Sequence, residues 1–118
     1  MNKIELETRT LNFSKHLIKV LRQLPRDLIK NALISQVIRS GTSIGANYRE
    51  ANGAGSGRDF KHKISIVLRE SSETAYWLEL LGEANPSYVE LLNPLLIEST
   101  EYVKIFGKVI SILSLNSK

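Results

Sequence analysis

Six residues near the middle of the chain, Asn52-Gly53-Ala54-Gly55-Ser56-Gly57, separate two stretches that both repeat with a helical period. Upstream, Ile29, Leu33, Val37, Ile44, Tyr48 and Ala51 fall on one helix face; downstream, Phe60, Ile64, Val67, Leu68, Ala75 and Leu78 do the same. Glycines in such a run are expected to supply positive-φ positions that end the first helix. Ser56, three residues before Asp59, is placed to cap the second. Two long helical arms on one short turn make an αα-hairpin, and the rest of the chain must cover its apolar faces.

The remaining segments read as helices too. Helix 1 is expected from about Ile4 to Gln23, with Leu11, Ser14, Leu17, Ile18, Leu21 and Leu24 as its stripe and Phe13 and Val20 widening it. Pro25 punctuates the chain, and Asp27 suits the positive end of helix 2, which continues to about Asn52. Helix 3 spans about Arg58 to Ala84, where Asn85-Pro86 stops it. Trp77 and Leu80 share a second line with Ile66, which fits contact with two neighbouring helices or with another subunit. Helix 4 begins near Ser87, is expected to break at Asn93-Pro94 and to restart with Pro94 in its first turn. Leu95, Ser99, Tyr102, Phe106, Val109 and Leu113 then form a coiled-coil-like seam, with Leu96, Val103 and Ile110 beside it. The tail Asn116-Ser117-Lys118 is expected to fray. The pattern is all-α: one domain over residues 1–118, an antiparallel up-down-up-down four-helix bundle.

Composition narrows the function. A chain of 118 residues with 42% hydrophobic and 24% charged content can bury one core without staples. It has no cysteine, which excludes disulfides and thiolate metal sites. The start MNKIELETRT lacks the apolar core of a signal peptide, and no run approaches the roughly 20 apolar residues of a spanning helix. The expected location is the cytoplasm, with no membrane partner. Charge is uneven: residues 1–63 hold 12 Lys/Arg against 5 Asp/Glu, whereas residues 64–118 hold 4 against 7. Such asymmetry points to an anionic partner for the first half, or to charge-complementary contacts between subunits.

Catalytic chemistry finds no foothold. The glycine run lacks the preceding strand of a dinucleotide loop and the Gly-Lys-Ser/Thr ending of a P-loop. His16 and His62 have no ligand-spaced partner at i+3 or i+4, the Glu-x-x-His pairs of di-iron bundles are absent, and two histidines cannot complete a structural zinc site. No His/carboxylate set assembles around a serine. The chain is therefore read as non-enzymatic, with no metal and no cofactor.

The interior of helix 2 is unusual for a helix. Gly41, Thr42, Ser43, Gly45, Ala46 and Asn47 are small or polar, and each mid-helix glycine costs about 1 kcal/mol against alanine. Keeping Gly41 and Gly45 there points to close approach by another backbone, with a bend in the helix as the competing explanation. Gln36, Ser43, Asn47 and Glu50 share one side of this helix, and with Arg39 and Glu73 they read as a hydrogen-bonded structural layer or interface, with Arg39 paired to a carboxylate, in preference to a binding groove.

Gln36, Arg39, Ser43-Ile44, Asn47, Glu50, the turn Gly53 to Gly57, Phe60 and Glu73 stand in the order and spacing of a known family. The chain resembles the four-helix-bundle proteins encoded by intervening sequences in bacterial 23S rRNA genes. It departs where members commonly carry Pro after the Ser-Ile pair; here Gly45 stands. The accessory variability determinant of diversity-generating retroelements, a pentameric basic partner of a reverse transcriptase, looks like a relative. The resemblance implies a bundle, assembly as a pentamer and a nucleic-acid connection.

The basic residues are the functional lead. Lys15, Lys19, Arg22, Arg26 and Lys30 gather near one end of the expected bundle, and Arg58, Lys61 and Lys63 near the other, with Lys3, Arg9, Arg49 and Lys108. Either end suits RNA or DNA phosphates, multiplied in a homo-oligomer. Exposed aromatic platforms for base stacking are not evident. The reading is a homo-oligomeric scaffold that binds RNA or DNA and docks a nucleic-acid enzyme. Its rival is a protein-interaction module whose charge asymmetry serves assembly alone.

Overall fold

Three helices of this chain begin on a side chain that caps them. In a computed structural model, which describes residues 1–116, the elements are α1 (Lys3–Leu21), α2 (Leu28–Asn52), α3 (Gly57–Ala84), a 3-10 turn at Pro86–Tyr88, and α4 (Val89–Asn116). Asn2 accepts from the Glu5 amide at 2.8 Å, Asp27 from the Lys30 amide at 2.8 Å, and Ser56 from the Asp59 amide at 3.1 Å. Each satisfies an amide that its helix leaves unpaired, so the starts follow from local chemistry. The expected fraying of Ser117 and Lys118 lies outside the described residues.

Two terminations differ from expectation. Gly53 closes α2 at φ −97° and ψ 7°, and no glycine among the described residues has positive φ. The helix instead tightens, with Gly53 N–H donating to Glu50 O at 3.1 Å and Ala54 N–H to Ala51 O at 3.1 Å. Pro94 does not interrupt α4, which runs through it. Pro94 and Glu90 are both exposed, so the carbonyl deprived of its partner by the proline ring can turn to water. At the other end of α1, the helix stops at Leu21, and Arg22 caps it.

The bundle closes on itself: α1 packs on α2, α2 on α3, α3 on α4 and α4 on α1. Cross-links set the directions. Asn52 at the end of α2 bonds Glu7 at the start of α1 at 2.8 Å, and Lys63 at the start of α3 reaches Glu50 at the end of α2 at 2.9 Å. The 48 × 23 × 22 Å dimensions match helices lying along one axis, since 28 residues span about 42 Å.

The core holds Phe13, Leu17, Val37, Ile44, Ile64, Val67, Leu78, Leu81, Leu95, Tyr102 and Phe106. Rings connect three helices: Phe13 meets Tyr102 edge-on at 5.4 Å, Tyr102 meets Phe106 at 6.2 Å, and Phe106 meets Tyr48 at 5.4 Å. Such pairs add about 0.5–1.5 kcal/mol each beyond burial. The stripe of α1 is rotated from the expected one. Thr10 is buried, whereas Leu11 and Ile18 are 40% and 43% exposed. Ile29, expected on the apolar face of α2, is exposed as well.

Gly41 and Gly45 explain that rotation. A Cβ on Gly41 would collide with Leu17 Cδ2, and one on Gly45 would lie 3.1 Å from Thr10 Oγ1 and 3.4 Å from Thr10 carbonyl carbon. The two glycines let α1 lie against α2 within one chain. Thr10 tolerates burial because its hydroxyl donates within α1, with Leu6 O at 2.9 Å and Glu7 O at 3.0 Å.

Candidate nucleic-acid interface

The cations proposed from sequence fall into two kinds once placed. Lys30 lies 3.6 Å from Asp27, and Lys63 is bonded to Glu50, so both are locally neutralised. Lys15, Lys19, Arg22, Arg26, Arg58 and Lys61 have no ion-pair or hydrogen-bond partner for their side chains among the described residues. Of these, Lys15, Lys19, Arg22 and Arg26 are exposed at i, i+4, i+7 and i+11. Lys15 and Lys19 stand on the face of α1 opposite its buried Thr10, Phe13 and Leu17, Arg22 is its C-cap residue, and Arg26 lies in the α1–α2 linker. Arg58 and Lys61 stand on the first turns of α3, at the opposite end.

The polar set of α2 resolves differently from its expected layer. Ser43 donates to Arg39 O at 2.6 Å and Asn47 to Ser43 O at 2.9 Å, so both serve their own helix rather than a neighbour. Gln36 is exposed, and its side chain has no hydrogen-bond partner among the described residues. The interhelical links are others. Arg39 bridges Glu70 at 3.1 Å and Glu73 at 3.5 Å, Glu50 holds Lys63, and the Ser40 and Thr74 hydroxyls are hydrogen-bonded at 2.9 Å, with Ser40 donating because Thr74 gives its proton to Glu70 O. Burial pushes the Glu70 carboxyl above its usual range, reinforced by a hydrogen bond with Glu73 and opposed by Arg39.

A second polar cluster was not singled out in the sequence. Arg9 grips Glu98 with two bonds, Nε to Oε2 at 2.6 Å and the second nitrogen to Oε1 at 2.7 Å. The guanidinium also lies 5.4 Å from the Tyr102 ring centre, and the Tyr102 hydroxyl donates to Arg9 O at 3.1 Å. The bond to Arg9 holds Glu98 below the usual carboxylate range, and burial raises the Tyr102 phenol well above its ordinary value. This cluster joins α1 to α4 beside a groove of about 720 Å³ lined by Ile4, Asn12, Phe13, His16, Pro94 and Glu98, among others. The signal in sequence was thin: Arg9 and Glu98 lie 89 residues apart. Arg9 is thereby removed from the supply of free cations.

Aromatic exposure also departs from expectation. Tyr76 is 60% exposed and stands edge-on to Trp77 at 5.2 Å. Its helical neighbours Glu73, Glu79 and Glu83 are acidic, which makes it a poor platform for bases. Among the described residues no group of three His, Cys, Asp or Glu is gathered as a metal would need. No helix is long and apolar enough to cross a membrane.

Against known proteins, a family model described as 23S rRNA-intervening sequence protein matches residues 2–108. A crystal structure from Bacteroides thetaiotaomicron, described as a protein with unknown function from the S23 ribosomal protein family, shares 35% identity and a TM-score of 0.82. The match covers 94% of this chain and 99% of that one. No curated protein matches the chain.

Proposed function

This chain belongs to the 23S rRNA-intervening sequence protein family, and from that premise we propose a non-enzymatic, homo-oligomeric scaffold that holds RNA or DNA in the cytoplasm. The observation that carries the reading is the row of exposed, unpaired cations Lys15, Lys19, Arg22 and Arg26. Unpaired cations condense onto a polyanion and release its counterions, which stabilises binding without reading sequence. The paired cations Arg9, Lys30 and Lys63 contribute little, because each must first give up its carboxylate. Assembly would repeat the row on each subunit and raise avidity. Service to a nucleic-acid enzyme such as a reverse transcriptase is supported by family resemblance.

The test is charge reversal. Lys19→Glu, Arg22→Glu and Arg26→Glu together should weaken binding to a short RNA or DNA duplex by at least about 100-fold at low salt. Equal binding by the variant and the parent protein would refute the reading. In that case the chain is the rival protein-interaction module.

A further inference from the structure

Tyr76 and the α1–α2 surface have complementary shapes and charges, yet they cannot meet within one chain. The Tyr76 ring projects from the outer face of α3 and is braced edge-on by Trp77. Glu73, Glu79 and Glu83 surround it at helical spacing, and Glu79 and Glu83 have no cation partner among the described residues. On the other side of the molecule a groove of about 330 Å³ lies between α1 and α2, at the small end of pockets that accept an organic group. Its walls are Leu11, Ser14, Thr42, Gly45, Ala46 and Arg49. They are mostly carbon because Gly45 and Ala46 leave α2 without bulk at this height. Leu11 is the middle of an exposed line with Ile4 and Ile18, seven residues to either side. Of the groove walls, Arg49 is exposed and unpaired among the described residues.

We propose that Tyr76 of one copy seats in the α1–α2 groove of a second copy, with the glutamates of α3 facing Arg49. This rests on the homo-oligomeric part of the function proposed above and names its contact surfaces. The occupant comes from another molecule because Tyr76 stands on the exposed face of α3, which packs on α2 and α4 and is not the neighbour of α1. A second copy supplies both halves. An exposed tyrosine entering a small apolar hole with charge at the rim is the composition of an interface hot spot. The contact is heterologous: pairing two Tyr76 faces would oppose glutamates, and pairing two grooves would oppose cations. Lys19, Arg22 and Arg26 lie beyond the groove, toward the α1–α2 linker, and stay open to nucleic acid.

Sedimentation of the full chain tests this. Tyr76→Ala removes the knob and Ala46→Glu fills the hole, both at exposed positions where circular dichroism should stay unchanged. The parent protein should sediment as an oligomer and each variant as a monomer. An equal mixture of the two variants should then form a heterodimer, because one intact knob and one intact hole remain. Variants that keep the parental mass, a mixture that stays monomeric, or a monomeric parent protein would each overturn the proposal. A monomeric parent would leave the Tyr76 face to a different protein. The two readings fail separately: reversal of Lys19, Arg22 and Arg26 should weaken duplex binding without changing mass, whereas loss of this contact changes mass first.

Discussion

Helix α1 is held in two different ways on its two flanks. Toward α2, Gly41 and Gly45 remove side chains so that Leu17 and Thr10 press against bare backbone. Toward α4, an arginine-carboxylate pair and a tyrosine hydroxyl bridge beside an open groove. The first flank relies on shape, which depends on the absence of atoms and resists any enlargement. The second relies on directional polar contacts, which depend on particular atoms and weaken with pH and salt. The difference teaches where the molecule tolerates change: the α2 flank tolerates almost none, and the α4 flank tolerates a good deal.

The comparison breaks most visibly at Gly45. Gly45→Leu should destabilise the chain by about 3 kcal/mol, the upper range for overpacking, because the obstruction includes Thr10 backbone. Gly41→Ala should cost less, about 1 kcal/mol after the gain in helix propensity, since only the tip of Leu17 must move. Urea unfolding of both variants would show whether backbone or side-chain contact limits the α2 flank; equal losses would erase that distinction.

On the α4 flank, Tyr102→Phe removes the donor to Arg9 O while leaving the ring stack, for a loss of about 1 kcal/mol. Glu98→Gln should cost about 0.5–1 kcal/mol at neutral pH, because the pair is only partly buried. Its pH dependence sharpens the contrast. Glu98 has a depressed folded pKa, so its contribution is present above the ordinary carboxylate value and is lost as pH falls through the depressed one. Unfolding midpoints of the parent and Glu98→Gln should therefore converge in acid, while those of Gly45→Leu and the parent should stay apart. Convergence of both would mean that the glycine flank is not governed by shape.

The smallest effect is expected at the outer face of the same helix. Changing Lys19, Arg22 and Arg26 to Gln should shift stability by no more than about 0.5 kcal/mol, because these exposed side chains form no ion pair or hydrogen bond among the described residues. A larger loss in thermal unfolding would give the row a structural role.

Much of the frame was legible in the sequence because it is set locally. Ser56 caps where its spacing to Asp59 said it would, Asp27, read as suiting the positive end of helix 2, caps that helix, and Asn85-Pro86 ends α3. The phase of α1 was not legible, because hydropathy treats Thr10 as outward and Leu11 and Ile18 as inward. Buried hydroxyls evade that scale: Thr10, Ser71 and Thr74 all donate to carbonyls within their own helices, so burial costs them little. Long-range pairs were hidden for a different reason. Nothing local ties Arg9 to Glu98, and Glu70, buried beneath Arg39, has the spacing of a surface residue only if the helix phase is misjudged. The cation set could be listed from composition, but which members were free depended on Glu50, Glu98 and Asp27.

The most direct test of the account is duplex affinity measured across a salt series. With three or four free cations per subunit, log K should fall linearly with log salt at a slope of about −3 for each engaged subunit. The slope should approach zero after reversal of Lys19, Arg22 and Arg26. Absence of binding at low salt, or a slope unchanged by the reversal, would contradict the claim that this face of α1 holds phosphate.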